Sequence, residues 1–224
     1  MKLGVLFSGG KDSCYAAELA SEEHEISCLL TIKSENEDSF MFHTPAIKWT
    51  EVQAEAMGIP YLSGKTLGVK GSELEDLQTL IEQAISDYQI EGIVTGAIAS
   101  VYQATRVQNI CADLGLWCFN PLWQSSQAEL LLSLVSGGYD VRITAVAAES
   151  LDESWLGKQI TNETVSELLV LAKQYKINPA GEGGEFETFV LNSPLFKKRL
   201  TINKSVRRFS RDSGRLELLE VVLI

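Results

Sequence analysis

Apolar residues in the first half of the chain fall in short blocks whose periodicity alternates between strand and helix. Lys2 to Phe7 alternates too little for a half-exposed strand and reads as a short buried one. Cys14 to Glu22 has helical composition, and a second apolar run, Ile26 to Ile32, follows at the spacing of a strand–helix–strand unit. Trp49 to Met57 reads as a helix stopped by Gly58 and Pro60. Tyr61 and Leu62 open another strand, and Glu73 to Tyr88 is a long helix. Gly92 to Thr95 is a short strand, and Val101 to Leu114 is a helix ended by Gly115.

Strands alternating with helices of this length predict an α/β fold, a parallel sheet with helices on both faces. Ligands of such sheets gather beyond the carboxyl ends of the strands. The loops after Phe7, Ile32 and Thr95 are therefore the useful ones, with Thr31 and Ile32 at the mouth of the second strand.

The pattern loosens after Pro121. Ser126-x-x-Glu129 spells a capping box ahead of Leu130 to Val135, and Gly137-Gly138 ends that helix. Tyr139 to Ala147 is strand-like, Thr161 to Tyr175 is helical, and Leu200 to Phe209 with Leu216 to Ile224 form a closing pair of strands. A boundary near residue 120 is expected, with 1–120 as the α/β part and 121–224 as a smaller α+β domain.

Composition narrows the partners. The 224 residues carry 19 Lys+Arg against 30 Asp+Glu, a formal net charge of −11, and 45% are apolar. That supports a real core and disfavours a polynucleotide as the main partner, since such binding rests on many phosphate contacts. From Lys197 onward, however, eight basic residues face three acidic ones, a block of +5 on a chain that is otherwise −16. Such a block is either a solvated strand face or a docking strip for an acidic macromolecule.

The opening apolar run breaks at Ser8, too early for a secretion signal, and no stretch reaches the roughly 18 apolar residues of a membrane span. A cytoplasmic location without membrane attachment is expected. Cys14, Cys28, Cys111 and Cys118 lack the spacing of a zinc site or a C-x-x-C pair and read as small buried hydrophobes. Nothing in the pattern speaks to oligomeric state.

Two segments carry candidate chemistry. Ser8-Gly9-Gly10-Lys11-Asp12-Ser13 sits between a strand and a helix. Glycines let the backbone approach an anion, the first helical amides have no helical partners, and the helix dipole and Lys11 favour negative charge. The spacing excludes a Walker loop, which needs Gly and Ser/Thr where Val5 and Asp12 stand, and a G-x-G-x-x-G fingerprint.

The second segment is Gly181-Glu182-Gly183-Gly184-Glu185-Phe186-Glu187-Thr188. In an extended chain Glu185 and Glu187 share one face, while Phe186, Thr188 and Val190 share the other. Three carboxylates beside three glycines suit a general base, an ammonium site or a metal shell.

The Ser8–Ser13 string resembles the pyrophosphate-binding loop of the adenine-nucleotide alpha hydrolases, also called N-type ATP pyrophosphatases. Gly96-Ala97-Ile98-Ala99-Ser100, Tyr102-Gln103-x-x-Arg106, Pro121-Leu122-Trp123, Leu156-Gly157-Lys158, Gly181 to Thr188 and Pro194 to Lys198 then follow in the order seen in diphthine–ammonia ligases.

The resemblance implies a Rossmann-like (HUP-type) nucleotide domain. It also implies use of ATP and Mg²⁺, with ammonium and diphthine-bearing translation elongation factor 2 as partners. It implies further that diphthine is amidated through an acyl-adenylate, with AMP and pyrophosphate released. Lys11, Asp12, Glu185 and Glu187 would be catalytic, with Asp12 also on the metal. Ser8 to Ser13, Thr31, Ile32, His43 and Gly96 would hold the nucleotide. Tyr102, Gln103, Arg106, Glu182, Gly183 and Gly184 would hold substrate.

His43, in Phe40-Met41-Phe42-His43-Thr44-Pro45, is placed for a lid over the nucleotide. Tyr102, Arg106 and Asn109 share a helical face, so Arg106 could pair with a carboxylate or phosphate. An RNA-modifying pyrophosphatase and a non-catalytic nucleotide-binding module are the rival readings.

Overall fold

The structure, a computed structural model, describes residues 1–35, 46–68 and 72–224. His43 and its neighbours from Phe40 to Pro45 lie outside the described residues.

Five parallel strands form the first sheet in the order β3-β2-β1-β4-β5: β1 Lys2–Leu6, β2 Glu25–Ser34, β3 Tyr61–Thr66, β4 Gly92–Val94 and β5 Trp117–Phe119. Strand alternation divides their side chains between two layers. Leu3, Val5 and Leu29 pack with α1 (Lys11–Ser21) and α2 (Thr50–Met57). Cys28, Leu30, Ile32 and Ile93 pack with α3 (Ser72–Tyr88) and α4 (Val101–Asp113). The predicted parallel sheet with helices on both faces is thus present.

The order reverses beside β1, so the loops after β1 and β4 diverge around one crevice. β5 escapes the hydrophobic pattern because it is three residues long and its first, Trp117, is 66% exposed. Helix α1 begins at Lys11 rather than Cys14, so the basic residue of the glycine turn is already helical.

The second sheet is antiparallel, in the order β7-β6-β9-β8, with β6 Asp140–Val146, β7 Phe186–Asn192, β8 Leu200–Ser210 and β9 Ser213–Leu223. Helices α5 (Gln127–Ser136) and α6 (Asn162–Tyr175) cover it. Ser126 caps α5 as expected, its hydroxyl accepting the Glu129 N–H. One apolar cluster runs without a break from Leu3, Cys14 and Ala17 to Leu131, Phe189 and Leu218. The two sheets therefore share a core across the α1/α2 layer.

Among the described residues no helix is long and apolar enough to cross a membrane. Cys14, Cys28 and Cys111 are buried free thiols, and burial pushes the Cys28 thiol up to about 12. That keeps it protonated and inert.

Candidate active site

Gly10 ends the turn after β1 with extended backbone (φ −81°, ψ 169°), and no side chain caps α1. The turn is held internally. The Ser13 hydroxyl donates to the Gly10 carbonyl at 3.1 Å, accepts the Ser8 N–H at 3.3 Å and lies 3.2 Å from the Ser8 hydroxyl. Gly9 adopts φ +77°, open to glycine and strained for other residues.

The turn is also held from outside. The Gly9 carbonyl accepts the Val190 N–H at 3.0 Å and the Gln53 side-chain amide at 3.0 Å. That same amide donates to the Val190 carbonyl at 2.8 Å. The Lys11 N–H donates to the Thr188 hydroxyl at 3.0 Å. β7 and α2 thus clamp the phosphate turn directly.

Gln53 is fully buried, and neither it nor the Thr188 contact was foreseen from the sequence. The one signal was a polar residue among the apolar positions of α2.

Lys11 is buried, with its ammonium 2.8 Å from Asp12 Oδ2 and 5.6 Å above the Phe186 ring. The other oxygen, Asp12 Oδ1, is buried and has no hydrogen-bond partner. A buried acceptor left open toward a phosphate turn fits Mg²⁺, which is commonly held by one or two carboxylates together with substrate phosphates. No group of three or more potential metal ligands occurs among the described residues.

These groups line a cavity of about 470 Å³. Of the residues singled out in the sequence, Ser8, Gly10, Lys11, Asp12, Ser13 and Ile32 face it from the first sheet. Gly96 and Gln103 face it from the β4–α4 side, and Glu182, Gly183, Gly184 and Glu187 from the β7 side.

Thr31 does not line it, because its buried hydroxyl is bound to the Phe7 carbonyl at 2.7 Å. Tyr102 and Arg106 are absent from the wall as well. The Arg106 guanidinium stacks on the Tyr102 ring at 3.3 Å and donates to the Tyr102 carbonyl, so it folds back on its own helix. Among the described residues no carboxylate forms an ion pair with Arg106.

The shared face expected of Glu185 and Glu187 is not formed either. β7 starts at Phe186, and the Glu185 carboxylate turns back onto the preceding loop. There it accepts the Asn178 N–H at 2.7 Å, the Asn178 side-chain amide at 2.9 Å and the Gly183 N–H at 2.8 Å. Three donors satisfy this carboxylate locally, which makes it the organiser of the loop. Phe186 and Thr188, expected on the opposite face, line the same cavity as Glu187.

Burial raises the Glu187 carboxyl to about 7 and the repulsion of Asp12 adds to the rise, while the Lys11 ammonium opposes it. Glu182, whose carboxylate accepts the Ala99 N–H at 3.2 Å, is also raised, first by burial and then by Asp12. Two carboxyls disposed to hold protons therefore face a buried cation and an unpartnered acceptor across one cavity.

Gly96 is constrained by the protein itself. A Cβ there would stand 2.8 Å from both the Asp12 carbonyl carbon and the Ser13 nitrogen, so the β4–α4 loop packs directly on the first turn of α1. Gly96→Ala must displace backbone that carries the phosphate turn. It is expected to destabilise the fold by about 1–3 kcal/mol and to weaken ATP binding at least about tenfold, as read by thermal unfolding and calorimetry.

Comparison with known proteins agrees with this architecture. A family model described as the diphthamide synthase N-terminal domain matches residues 1–118, and one described as the diphthamide synthase C-terminal domain matches residues 127–224. The diphthine–ammonia ligases of Rattus norvegicus and Homo sapiens are 37% and 36% identical over 225 residues, covering 92% of this chain and 84% of theirs. That of Danio rerio is 36% identical over 222 residues, covering 91% and 87%. A solved structure described as a predicted subunit of tRNA methyltransferase from Methanocaldococcus jannaschii aligns at a TM-score of 0.43 and 16% identity. It covers 87% of this chain and 98% of that one, too distant to bear on the assignment. With a phosphate turn clamped by the second sheet, and both halves matched along nearly their whole length, the chain belongs to the diphthamide synthase family, whose curated relatives are named diphthine–ammonia ligases.

Proposed function

We propose that the protein uses ATP and ammonium to convert the carboxylate of diphthine on translation elongation factor 2 to the amide. The observation that carries this reading is the single cavity in which the glycine turn, Lys11, Asp12 and Glu187 meet. A carboxylate is a poor acceptor for ammonia, so activation divides the reaction into two easier steps. The acceptor oxygen bonds to the α-phosphorus as the bond to the bridging oxygen breaks, giving acyl-adenylate and pyrophosphate. Ammonia then attacks the acyl carbon, AMP leaves, and the amine gives up its surplus proton.

In this reading the α1 amides, Lys11 and the Ser8 and Ser13 hydroxyls hold the two outer phosphates and stabilise the charge that grows on them. Asp12 Oδ1 would hold Mg²⁺, which supplies further neutralisation of the phosphates. Glu187 accepts the proton of ammonium, its raised pKa suiting proton exchange near neutral pH. Glu185 positions Gly183 and Asn178, and Glu182 and Gln103 line the acceptor side of the cavity.

The test is incubation with ATP, Mg²⁺, ammonium and diphthine-bearing elongation factor 2. AMP and pyrophosphate are expected in step with amide, and kcat/KM is expected to rise with pH through about 7 as Glu187 loses its proton. ADP in place of AMP would overturn the reading.

A further inference from the structure

A second cavity, of about 530 Å³, is also lined by Glu187. It lies between Ala145–Ala147 at the end of β6, the start of β7, and the tip of the β8–β9 ribbon. It shares Gly184, Phe186 and Glu187 with the first cavity, so the two adjoin at the start of β7. The ribbon contributes Arg208 and Arg215 to its wall.

These two arginines stand directly opposite one another in the β8–β9 ladder. Like charges facing across a strand pair repel, so the two guanidiniums do not stabilise each other. Arg208 Nε is 3.0 Å from Glu217, but both side chains are exposed, and such a pair contributes little and yields readily to a competing carboxylate.

Charge distribution gives the direction. The residues before Lys197 carry −16, which repels a carboxylate, whereas 197–224 carries +5 and contributes the two basic residues of this cavity, Arg208 and Arg215. Field lines converge where a positive rim surrounds a concave site on an acidic body, and they draw an anionic partner there.

We propose that this second cavity is the entrance for the acceptor, with Arg208 and Arg215 drawing in an acidic segment of the protein substrate and its carboxylate-bearing side chain toward Glu187. The proposal rests on the reading of the site as an acyl-activating centre. A protein-borne acceptor must reach the α-phosphate from a side the nucleotide leaves open, and the second cavity adjoins the first at Gly184, Phe186 and Glu187.

The test compares the intact chain with Arg208→Glu/Arg215→Glu and with the milder Arg208→Gln/Arg215→Gln, each verified as folded by circular dichroism. Binding of diphthine-bearing elongation factor 2 is measured by surface plasmon resonance without nucleotide, and KM is measured separately for the factor and for ATP. The Kd and KM for the factor should rise about tenfold or more in the Glu variant and less in the Gln variant, with KM for ATP within about twofold. Rising salt should weaken binding by the unaltered chain more than by the variants.

Unchanged factor binding would overturn the proposal. So would an equal rise in KM for ATP, or a ribbon that binds transfer RNA in preference to the factor. Failure of the unaltered chain to form amide would count against the acyl-activating centre instead, and the binding measurement would still decide the docking surface.

Discussion

Lys11→Met is expected to slow AMP formation in a single turnover about 10²–10³-fold, with a smaller effect on ATP affinity. The Lys11 side chain is only 4% exposed and its ammonium is fixed by Asp12, so the charge acts in a poorly screened setting and needs no reorganisation as pyrophosphate departs. Charge on the leaving oxygens grows in the transition state, so the loss falls mainly on kcat. Lys11→Arg keeps the charge but places a planar fork in a closed space, and should remain strongly impaired.

Removing the ammonium also strips Asp12 of its partner, so stability falls together with rate. The Lys11→Met/Asp12→Asn double variant should recover stability without recovering rate. A single variant within about threefold of the unaltered rate would remove Lys11 from the chemistry.

Glu187→Gln is expected to lower kcat about 10²–10⁴-fold, the range supplied by a positioned proton acceptor. Its diagnostic is the pH profile. The acid limb near 7 should vanish, leaving slow and nearly pH-independent amide formation across that limb.

Stability should move in the opposite direction. The Glu187 carboxyl rises from 4.5 to about 7 on folding, so the folded state binds the proton more tightly than the unfolded one. The fold therefore loses stability as pH rises through that window and loses no more above it. Gln lacks this penalty, and the variant should unfold at or above the temperature of the unaltered chain at pH 8. A variant that is less stable, or whose acid limb persists, would point to another base.

Much of this was legible along the chain, for local reasons. β1, α1, β2 and the glycine turn carry their own period, breaks and helix-start chemistry, and the closing pair of strands at Leu200 to Phe209 and Leu216 to Ile224 corresponds to β8 and β9. Gln53 was not legible, because its meaning lies in carbonyls 44 and 137 residues away. Glu185 misled for the opposite reason. Two-residue spacing promised a shared face with Glu187, but three nearby N–H donors claim its carboxylate before the strand begins. Arg106 likewise found a ring and a carbonyl within one helical turn, where sequence spacing alone suggested a distant anion.

The contacts from Val190 to Gly9 and from Lys11 to Thr188 have a consequence for how such proteins can diversify. The phosphate turn is completed by the other half of the polypeptide, so a lineage could not trade that half for a foreign module and keep a working nucleotide grip. New specificities would have to arise by remodelling the β8–β9 ribbon in place, while β7, at the opposite edge of the sheet, keeps its hold on the turn.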